Sequence, residues 1–493
     1  MAGFISTLKW TFGLISSSSK YLTAEKFQST VNCNGTTMKK KQIWTLERVD
    51  GPVIALKSSF GKYLSADHNG KLNAGGEEIG DDQKFVFDTQ PDGKVAIRSF
   101  THSRYIGGSG DQLSCYAQTI DAQNLYTIQL AMHPQINLRN VNRKTYVHLQ
   151  DGELRCNEEI PWGYDAMIIL EFYDGRYCIR AADTKYLHRT GQLVEEITKD
   201  TLYTLIFRDT QVAFRDCNGK YLTAVGATGS VMSRKDSIGR DELFTLEDSH
   251  PQVRLIASNG KHVSTRDTVT GEVRANQGEA TDTEIFQMEA VDRADRSGNV
   301  KWAFHSSNKK YWSTGAASIL IADKESFSEA TAQFTVEWMG PMIALKGSNG
   351  KYVSVTSNGK MAANSATVED NCKFVFEFIN RPILVLRGEF GFVGVKGTSG
   401  LLECNRSMYD VFGVDGDAGT YKIKGANGKY WQIEGDNTLS VNGDSPTDFF
   451  FELRAHTHMC IIAPNGQYLK GAQNGSFTAD GGSAVSNSTL WEY

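Results

Sequence analysis

Several features that direct a chain toward a membrane, a structural metal or nucleic acid are missing from these 493 residues. No apolar run approaches the roughly 20 residues that a membrane-spanning helix needs. The eight cysteines form no C-x-x-C pair, so we expect reduced thiols in the cytosol. The net charge of −5 argues against a general nucleic-acid binder. Proline is scarce, at 9 against 47 glycines, and this ratio favours many tight turns.

The common signatures of catalysis are missing as well. Gly-Lys occurs eight times, but Ser or Thr never follows it, as a phosphate-binding P-loop requires. Neither H-E-x-x-H nor G-x-S-x-G is present. His456 and His458 are two apart, which places them on one face of a strand, but no third ligand lies nearby. We therefore predict a protein that is not an enzyme and needs no cofactor or metal.

What the chain does contain is a short motif, Asn/Ser-Gly-Lys-Tyr-Leu, that recurs along its whole length. The ring of the motif falls at twelve positions: Tyr21, Tyr63, Tyr105, Tyr146, Tyr186, Tyr221, His262, Tyr311, Tyr352, Phe392, Tyr430 and Tyr468. We call these residues the anchors. Their mean spacing is about 41 residues, a period typical of repeat architectures.

The motif predicts a tight turn that leads into a strand. Asn-Gly and Asp-Gly favour a type I′ hairpin turn, because both of its central residues need a positive φ. Each repeat also holds a short strand-like run with a period of two, such as Ile43–Leu46 or Phe374–Phe376. Long amphipathic helical windows are absent, so the sequence predicts an all-β protein.

Proline-containing junctions divide the twelve repeats into four blocks of three. Pro134, Pro251 and Pro382 each stand between a closing strand and a fresh apolar strand. Three repeats of about 40 residues suit a β-trefoil, a closed barrel without exposed sheet edges. We predict four tandem β-trefoil domains at residues 1–133, 134–250, 251–380 and 381–493, with packed junctions and a rigid molecule. A β-propeller is the competing fold, but its repeat signature is missing.

The N-terminal region holds three further features. Met1–Ser19 contains many apolar residues but is interrupted by Lys9, and we interpret it as the first strand and not as a signal peptide. Gln42-Ile43-Trp44 matches the Q-x-W motif of trefoil lectins, although once only, so a multivalent lectin stays open as an alternative. Thr36-Thr37-Met38-Lys39-Lys40-Lys41 carries the only run of three cations, either a solvated loop or a patch for an acidic protein surface.

Several stretches resemble the fascins, actin-bundling proteins built of four trefoils. They include Lys20–Glu25, Lys39–Glu47, Ala131–Gln135, Ala213–Cys217, Arg381–Ile383, Asn405–Ser407 and Leu490–Tyr493. The resemblance implies a monomer that crosslinks actin filaments into tight parallel bundles through at least two separated surfaces. It also implies a place in the cytoplasm, in filopodia and other cell projections, with no membrane insertion and no nucleic-acid partner.

The resemblance also implies which residues carry the function. The implied actin-binding residues are Lys20, Lys39, Lys40, Lys41, Arg143, Lys144, Arg240, Lys346, Lys351 and Lys396. A regulatory phosphorylation site before the lysine run aligns with Thr37, and a second regulatory serine aligns with Ser264. Met342, Thr356 and Gly397 in the later trefoils replace cations that fascins often carry, so we expect the second actin-binding surface to be less basic than the first.

Overall fold

The computed structural model describes residues 10–208, 210–267, 269–291 and 300–493. The predicted first strand, Met1–Ser19, therefore lies partly outside the described residues, and its described part contains the strand Thr11–Ser16. The chain folds into 49 short strands and eight single-turn 3₁₀ helices within this part of the sequence. The 3₁₀ helices are Lys40–Gln42, Asp81–Gln83, Ala122–Asn124, Lys199–Thr201, Asp282–Glu284, Ala316–Ser318, Ala330–Ala332 and Asp370–Cys372.

The first twelve strands form a closed barrel with three hairpins. They are β1 Thr11–Ser16, β2 Tyr21–Ala24, β3 Val31–Gly35, β4 Trp44–Asp50, β5 Val53–Ser58, β6 Tyr63–Ala66, β7 Leu72–Gly76, β8 Phe85–Thr89, β9 Val95–Ser99, β10 Tyr105–Gly107, β11 Ser114–Ala117 and β12 Leu125–Leu130. Antiparallel pairing runs β1–β4–β5–β8–β9–β12 and closes from β12 back to β1. The hairpins β2–β3, β6–β7 and β10–β11 each follow one barrel strand. Six barrel strands and three hairpins in threefold repetition define a β-trefoil.

The second and third barrels repeat this plan. The second contains β13 Gln135–Asn140, β14 Tyr146–Gln150, β15 Glu153–Glu158, β16 Ile168–Tyr173, β17 Arg176–Arg180, β18 Tyr186–Leu187, β19 Leu193–Val194, β20 Thr204–Arg208, β21 Gln211–Arg215, β22 Tyr221–Val225, β23 Ser230–Lys235 and β24 Phe244–Asp248. The third contains β25 Gln252–Ala257, β26 His262–Ser264, β27 Arg274–Gln277, β28 Phe286–Ala290, β29 Lys301–Ser306, β30 Tyr311–Thr314, β31 Leu320–Lys324, β32 Phe334–Met339, β33 Met342–Lys346, β34 Tyr352–Val355, β35 Met361–Ser365 and β36 Lys373–Phe378.

The fourth barrel is the least regular, because its first strand is split in two. It contains β37 Ile383–Leu384, β38 Arg387–Gly388, β39 Gly391–Val395, β40 Leu402–Arg406, β41 Phe412–Asp417, β42 Thr420–Lys424, β43 Tyr430–Ile433, β44 Leu439–Gly443, β45 Phe450–Ala455, β46 His458–Ile462, β47 Lys470–Gly471, β48 Phe477–Thr478 and β49 Trp491–Glu492. β37 pairs with β41 and β38 pairs with β49, so the two halves of the split strand together still pair with both neighbouring barrel strands. The predicted fold, four tandem β-trefoils, is confirmed.

The turn before each anchor differs from the predicted type I′ turn. In the turn that precedes Tyr63, Gly61 N donates to Ser58 O at 2.9 Å and Ser58 N donates to Lys62 O at 2.8 Å. Only Gly61, with φ of 80°, has a positive φ among these residues. This is a three-residue hairpin loop, a type I turn followed by a left-handed glycine. The left-handed position favours glycine, although Ser19, Thr184 and Lys309 occupy it in other repeats. The preceding Asn is not required, which explains why Phe60 is tolerated there.

The residue after each anchor supplies the core. Leu22, Leu64, Leu222 and Val353 are fully buried, while large aromatic rings such as Trp44 fill the barrel centres. Burying one such side chain contributes roughly 1.5 to 3 kcal/mol. The anchors themselves lie at the barrel wall and are mostly half-buried.

The trefoils pack in pairs. The described residues divide into two units by their contacts. Those within 10–161 and 168–247 are here called the N-terminal unit, and those within 162–167 and 248–493 are here called the C-terminal unit. Within the N-terminal unit, the hydroxyl of Tyr177 accepts from Leu130 N at 2.7 Å. Within the C-terminal unit, the hydroxyl of Tyr421 accepts from Phe378 N at 2.8 Å. In each unit a buried tyrosine of the later trefoil thus caps the closing strand of the earlier one.

Candidate functional surfaces

The lysine run lies at the base of the first hairpin. Tyr21 pairs with Gly35, so Lys20 and the loop that begins at Thr36 lie side by side at the open end of β2–β3. Lys39, Lys40 and Lys41 are exposed, and the last two belong to the first 3₁₀ helix. The structure thus brings together Lys20, Lys39, Lys40 and Lys41, a group that we call the N-terminal lysine cluster.

The lysines of this cluster differ in their partners. Lys41 Nζ lies 2.6 Å from Glu25 Oε2 on the same hairpin, and its hydrogen bond lowers the pKa of Glu25 below its usual value. Lys39 and Lys40 form no ion pair with any residue that the structure describes. Their positive charges are therefore open to an acidic partner, whereas the charge of Lys41 is already balanced.

The Q-x-W match has a structural explanation. Gln42 is buried and joins Lys39 N to Thr23 Oγ1 through its side-chain amide. Trp44 is fully buried, and its indole N–H donates to Leu22 O at 3.0 Å. Neither side chain is available to a sugar, so this motif does not support the lectin alternative.

The basic residues predicted for the second trefoil also come together. Asn142 Nδ2 donates to Asp241 Oδ1 at 2.7 Å, which holds the β13–β14 turn against the loop that carries Arg240. Lys144 and Arg240 are exposed there. Arg143 is half-buried, and its guanidinium donates to the carbonyls of Ala224 and Gly226 at 3.0 and 2.7 Å. We infer that Arg143 mainly supports this surface, while Lys144 and Arg240 present its charge.

The candidates of the third and fourth trefoils do not form one group. Lys346 Nζ lies 5.0 Å from the centre of the Tyr352 ring, a cation–π contact. Lys351 is exposed in the turn between β33 and β34, where its backbone N–H donates to Asn349 Oδ1. Lys396 is exposed in the turn that joins β39 to β40. No hydrogen bond or ion pair between described residues links Lys396 to the other two.

The two predicted modification sites have opposite environments. Thr37 is exposed beside the lysine run, as a regulatory hydroxyl should be. Ser264 is 2% exposed, and its hydroxyl donates to Glu284 Oε1 at 2.6 Å. Burial favours a raised pKa for Glu284, but hydrogen bonds led by that of Ser264 hold the pKa below its ordinary value. A kinase cannot reach this hydroxyl in the folded protein, so the geometry argues against the prediction at Ser264.

One repeating feature escaped the sequence pattern. The anchor tyrosine donates its hydroxyl to a barrel-strand carboxylate, as Tyr63 does to Glu47 and Tyr352 to Glu337, each at 2.6 Å. The residue that pairs with the anchor across the strands is a cation in most repeats. These cations are Lys57, Arg98, Arg139, Arg180, Arg215, Lys346, Arg387 and Lys424. Lys346 therefore occupies a structural position that recurs in most of the repeats.

The interpretation of the two histidines as neighbours on one strand was wrong. His456 lies in the turn before β46, where Nε2 is 3.7 Å from Asp248 Oδ2, and His458 begins β46. Burial lowers the pKa of His458. In the described part of the chain, no group of three His, Cys, Asp or Glu side chains is arranged to hold a metal ion. Nor does that part contain a helix long and apolar enough to cross a membrane.

Four tandem β-trefoils with exposed lysines on several barrels define the class of this chain, a protein of several β-trefoil domains. The sequence model of the Fascin domain matches residues 18–128, 136–246, 260–376 and 389–493. Fascin-2 of Bos taurus is 40% identical over all of this chain and 99% of its own length. Fascin of Strongylocentrotus purpuratus is 37% identical over 99% of both chains, and Fascin-3 of Mus musculus is 26% identical over 98% of this chain and 96% of its own. The chain belongs to the fascin family.

Proposed function

We propose that this chain is a non-catalytic crosslinker that binds filamentous actin and packs filaments into tight parallel bundles. Family membership across all four domains supports this proposal. The observation that carries it is the N-terminal lysine cluster, where Lys39 and Lys40 are exposed and are not paired with any described residue. We place its action in the cytoplasm, in filopodia and similar cell projections.

A bundling protein that acts as a monomer must contact two filaments at once. Candidate cations occur on each barrel: Lys39 on the first, Lys144 on the second, Lys351 on the third and Lys396 on the fourth. Paired packing of trefoils, through Tyr177 in one unit and Tyr421 in the other, supports a fixed arrangement inside each unit. A monomer with at least two filament-binding surfaces is the simplest arrangement that uses all of these cations.

Electrostatics provides the attraction in this proposal. The chain is acidic overall, so isolated basic patches orient it on an acidic filament and accelerate encounter. Exposed charges are screened beyond a Debye length of about 8 Å at physiological ionic strength. Filament binding should therefore weaken steadily as the salt concentration is increased above physiological ionic strength. Binding that does not change with salt would indicate an apolar interface.

Regulation by phosphorylation is part of the proposal. A phosphate on the exposed Thr37 would add a charge of about −1.5 to −2 beside the lysine cluster. Since Lys41 is already paired with Glu25, this charge would cancel nearly all of the remaining charge of Lys39 and Lys40. Phosphorylation should then reduce bundling without a change in the fold.

Sedimentation with purified filaments tests the proposal. The triple variant Lys39→Ala, Lys40→Ala, Lys41→Ala and the single variant Thr37→Glu should both reduce pelleting at low speed, which reports bundles. The matched control replaces Lys185, Lys220 and Lys429, exposed or half-exposed lysines that already have carboxylate partners, by Ala. Equal losses from the test and control triples would show that the cluster has no special role.

A further inference from the structure

Asn-Gly, the dipeptide of the recurring turn, occurs ten times in the chain. Its asparagines are Asn34, Asn69, Asn218, Asn259, Asn349, Asn358, Asn427, Asn442, Asn465 and Asn474. This dipeptide is chemically labile, because glycine has no Cβ to hinder an attack of its backbone nitrogen on the side-chain carbonyl of the asparagine. The attack needs a side chain that can rotate toward the glycine. The hydrogen bonds of the ten amides therefore determine which of them can react.

Four of these amides are held at both ends. They belong to Asn259, Asn349, Asn427 and Asn465. In each of them Oδ1 accepts the backbone N–H of the residue two positions later at 3.0 Å. Nδ2 donates to a backbone carbonyl 14 or 16 residues away, at 2.8 or 2.9 Å. Rotation of these side chains therefore costs two hydrogen bonds.

Asn69 differs from these four, because its exposed side chain forms no hydrogen bond with any residue that the structure describes. The residue two positions later is Lys71, whose backbone N–H donates to Asp67 Oδ1 at 2.9 Å. Asp67 thus binds the donor that Asn69 would otherwise hold. The four held asparagines have alanine or glycine, which carry no side-chain acceptor, at the position of Asp67. These residues are Ala257, Gly347, Gly425 and Ala463.

Asn218 repeats this arrangement in the second trefoil. Asp216 precedes it by two residues, and Asp216 Oδ1 accepts from Lys220 N at 2.8 Å. Among the described residues, only Cys217 Sγ donates to the Asn218 amide, at 3.8 Å. The remaining amides each keep at least one hydrogen bond; they belong to Asn34, Asn358, Asn442 and Asn474. The pattern Asp-x-Asn-Gly therefore indicates the two least restrained amides.

We propose that Asn69 is a site of spontaneous deamidation, and that Asn218 reacts next. Gly70 N forms a bond to Cγ of Asn69 as the Cγ–Nδ2 bond breaks, and Nδ2 leaves as ammonia with the proton of the Gly70 nitrogen. The resulting succinimide takes up one water molecule, which opens the ring to aspartate or isoaspartate. The net reaction is the hydrolysis of an amide, so it requires no oxidant, enzyme or cofactor. This inference is independent of the proposed function.

The backbone of the turn restrains the sites in a common way. Gly70 N donates to Asp67 O at 2.8 Å, so the turn must open before the new bond forms. Gly219, Gly260 and Gly350 each make the same bond to the residue three positions earlier. This restraint is shared by reactive and held asparagines alike. The order of reaction is therefore set by the side-chain hydrogen bonds.

Isoaspartate at position 69 should disturb the hairpins of the first trefoil. Gly70 O accepts from Cys115 N at 2.8 Å, and a Cβ at Gly70 would lie 2.9 Å from Cys115 O, so the tip of β6–β7 packs closely on β11. Isoaspartate inserts one methylene into the main chain beside this contact and adds a negative charge near Asp67. Aged wild-type protein should therefore melt at a lower temperature than aged Asn69→Gln, whose longer amide reacts more slowly. Equal melting temperatures would contradict this consequence.

Peptide mapping of the intact chain tests the proposal. The protein is incubated at physiological temperature and mildly alkaline pH, which favours loss of the proton from the glycine nitrogen, and aspartate and isoaspartate are quantified at all ten sites. Asn69 should react about tenfold faster than Asn259, which must first break two hydrogen bonds. In denaturant the ten sites should react at similar rates. If Asn69 reacts no faster than Asn259 in the folded protein, or keeps its full lead in denaturant, the proposal is overturned.

The variant Asp67→Ala isolates the cause. It gives this turn the alanine that precedes Asn259 by two residues, and it leaves the N–H of Lys71 for Asn69 Oδ1. Deamidation at Asn69 should slow toward the rate at Asn259, while the rate at Asn218 stays unchanged as an internal control. Circular dichroism checks that the variant folds. An unchanged rate at Asn69 in the folded variant would overturn the role of Asp67, and if the variant does not fold, the order of the ten wild-type sites decides alone.

Discussion

Lys41 Nζ lies 2.6 Å from Glu25 Oε2, so one of the three lysines in the cationic run carries its own counter-charge. Glu25 follows β2 and Lys41 lies in the first 3₁₀ helix, and the hairpin brings them together across 16 residues of sequence. The pair is well exposed, so its contribution to folding is small. Its main effect is on the charge that the cluster presents to a partner.

Replacing Glu25 by Gln should therefore strengthen filament binding. The substitution leaves Lys41 as a further unbalanced cation beside Lys39 and Lys40, and binding measured by high-speed sedimentation should tighten about twofold to fivefold. Glu78→Gln is the control, because it makes the same change in net charge at an exposed carboxylate outside any ion pair of the described residues. An equal gain from both variants would mean that only net charge matters.

Lys346 and Lys351 should separate into a structural and a binding residue. Lys346→Ala removes a cation from the ring of Tyr352 and should lower the free energy of unfolding by about 0.5 to 1 kcal/mol. Lys351→Ala should leave the free energy unchanged and weaken filament binding. Chemical denaturation and sedimentation of the two variants check this, and a reversed assignment would contradict our interpretation of the anchor contacts.

Acidic substitutions should distinguish the two candidate phosphorylation sites. Ser264→Asp places a second carboxylate against the fully buried side chain of Glu284 and should destabilise the fold by about 3 kcal/mol or more. Thr37→Asp at an exposed position should not alter the thermal transition. A Ser264→Asp protein that melts like the wild type would reopen this serine as a modification site.

The C-terminal unit should lose stability in mild acid. Burial lowers the pKa of His305, although Glu289 opposes the shift, and the ring stacks on Tyr311 at 4.4 Å. The unfolded chain takes up a proton near pH 6.5, before the folded protein does. Since the unfolded state then binds more protons, the melting temperature should fall as pH drops from 7.5 to 5.5. His458 acts in the same direction.

The variant His305→Gln isolates this effect. In this variant the melting temperature should fall less between pH 7.5 and 5.5 than in the wild type, whatever the effect of the substitution on stability at pH 7.5. The same substitution at the exposed His68, on the first trefoil, should leave the slope as it is in the wild type. An unchanged slope in His305→Gln would show that the ring is not the source of the dependence.

The fold was predictable because each repeat encodes its own turn and buried strand. Gly61 and Leu64 recur at fixed offsets from Tyr63, so their period of about 41 residues predicts three-repeat barrels. The turn type was wrong, because Asn-Gly suits two hairpin loops and only the backbone angles distinguish them. The cation that pairs with the anchor was missed, since it stands five to seven residues before the ring and not at a fixed offset.

The candidate surfaces were less predictable than the fold. Sequence spacing does not reveal that Glu25 balances Lys41 or that Arg143 bonds to carbonyl groups 81 and 83 residues away. Ser264 was assigned as a regulatory site by resemblance to the fascins, but both β26 residues after His262 are buried. These differences depend on contacts between distant hairpins, which only the three-dimensional structure supplies.

Low-speed sedimentation of purified actin filaments with the intact wild-type chain tests the central claim most directly. We predict that the protein moves filaments into the low-speed pellet at physiological salt, and that this pelleting declines as salt increases. Filaments that stay in the low-speed supernatant, while the protein appears with them only at high speed, would contradict bundling by this chain. Protein that stays unbound at both speeds would contradict filament binding altogether.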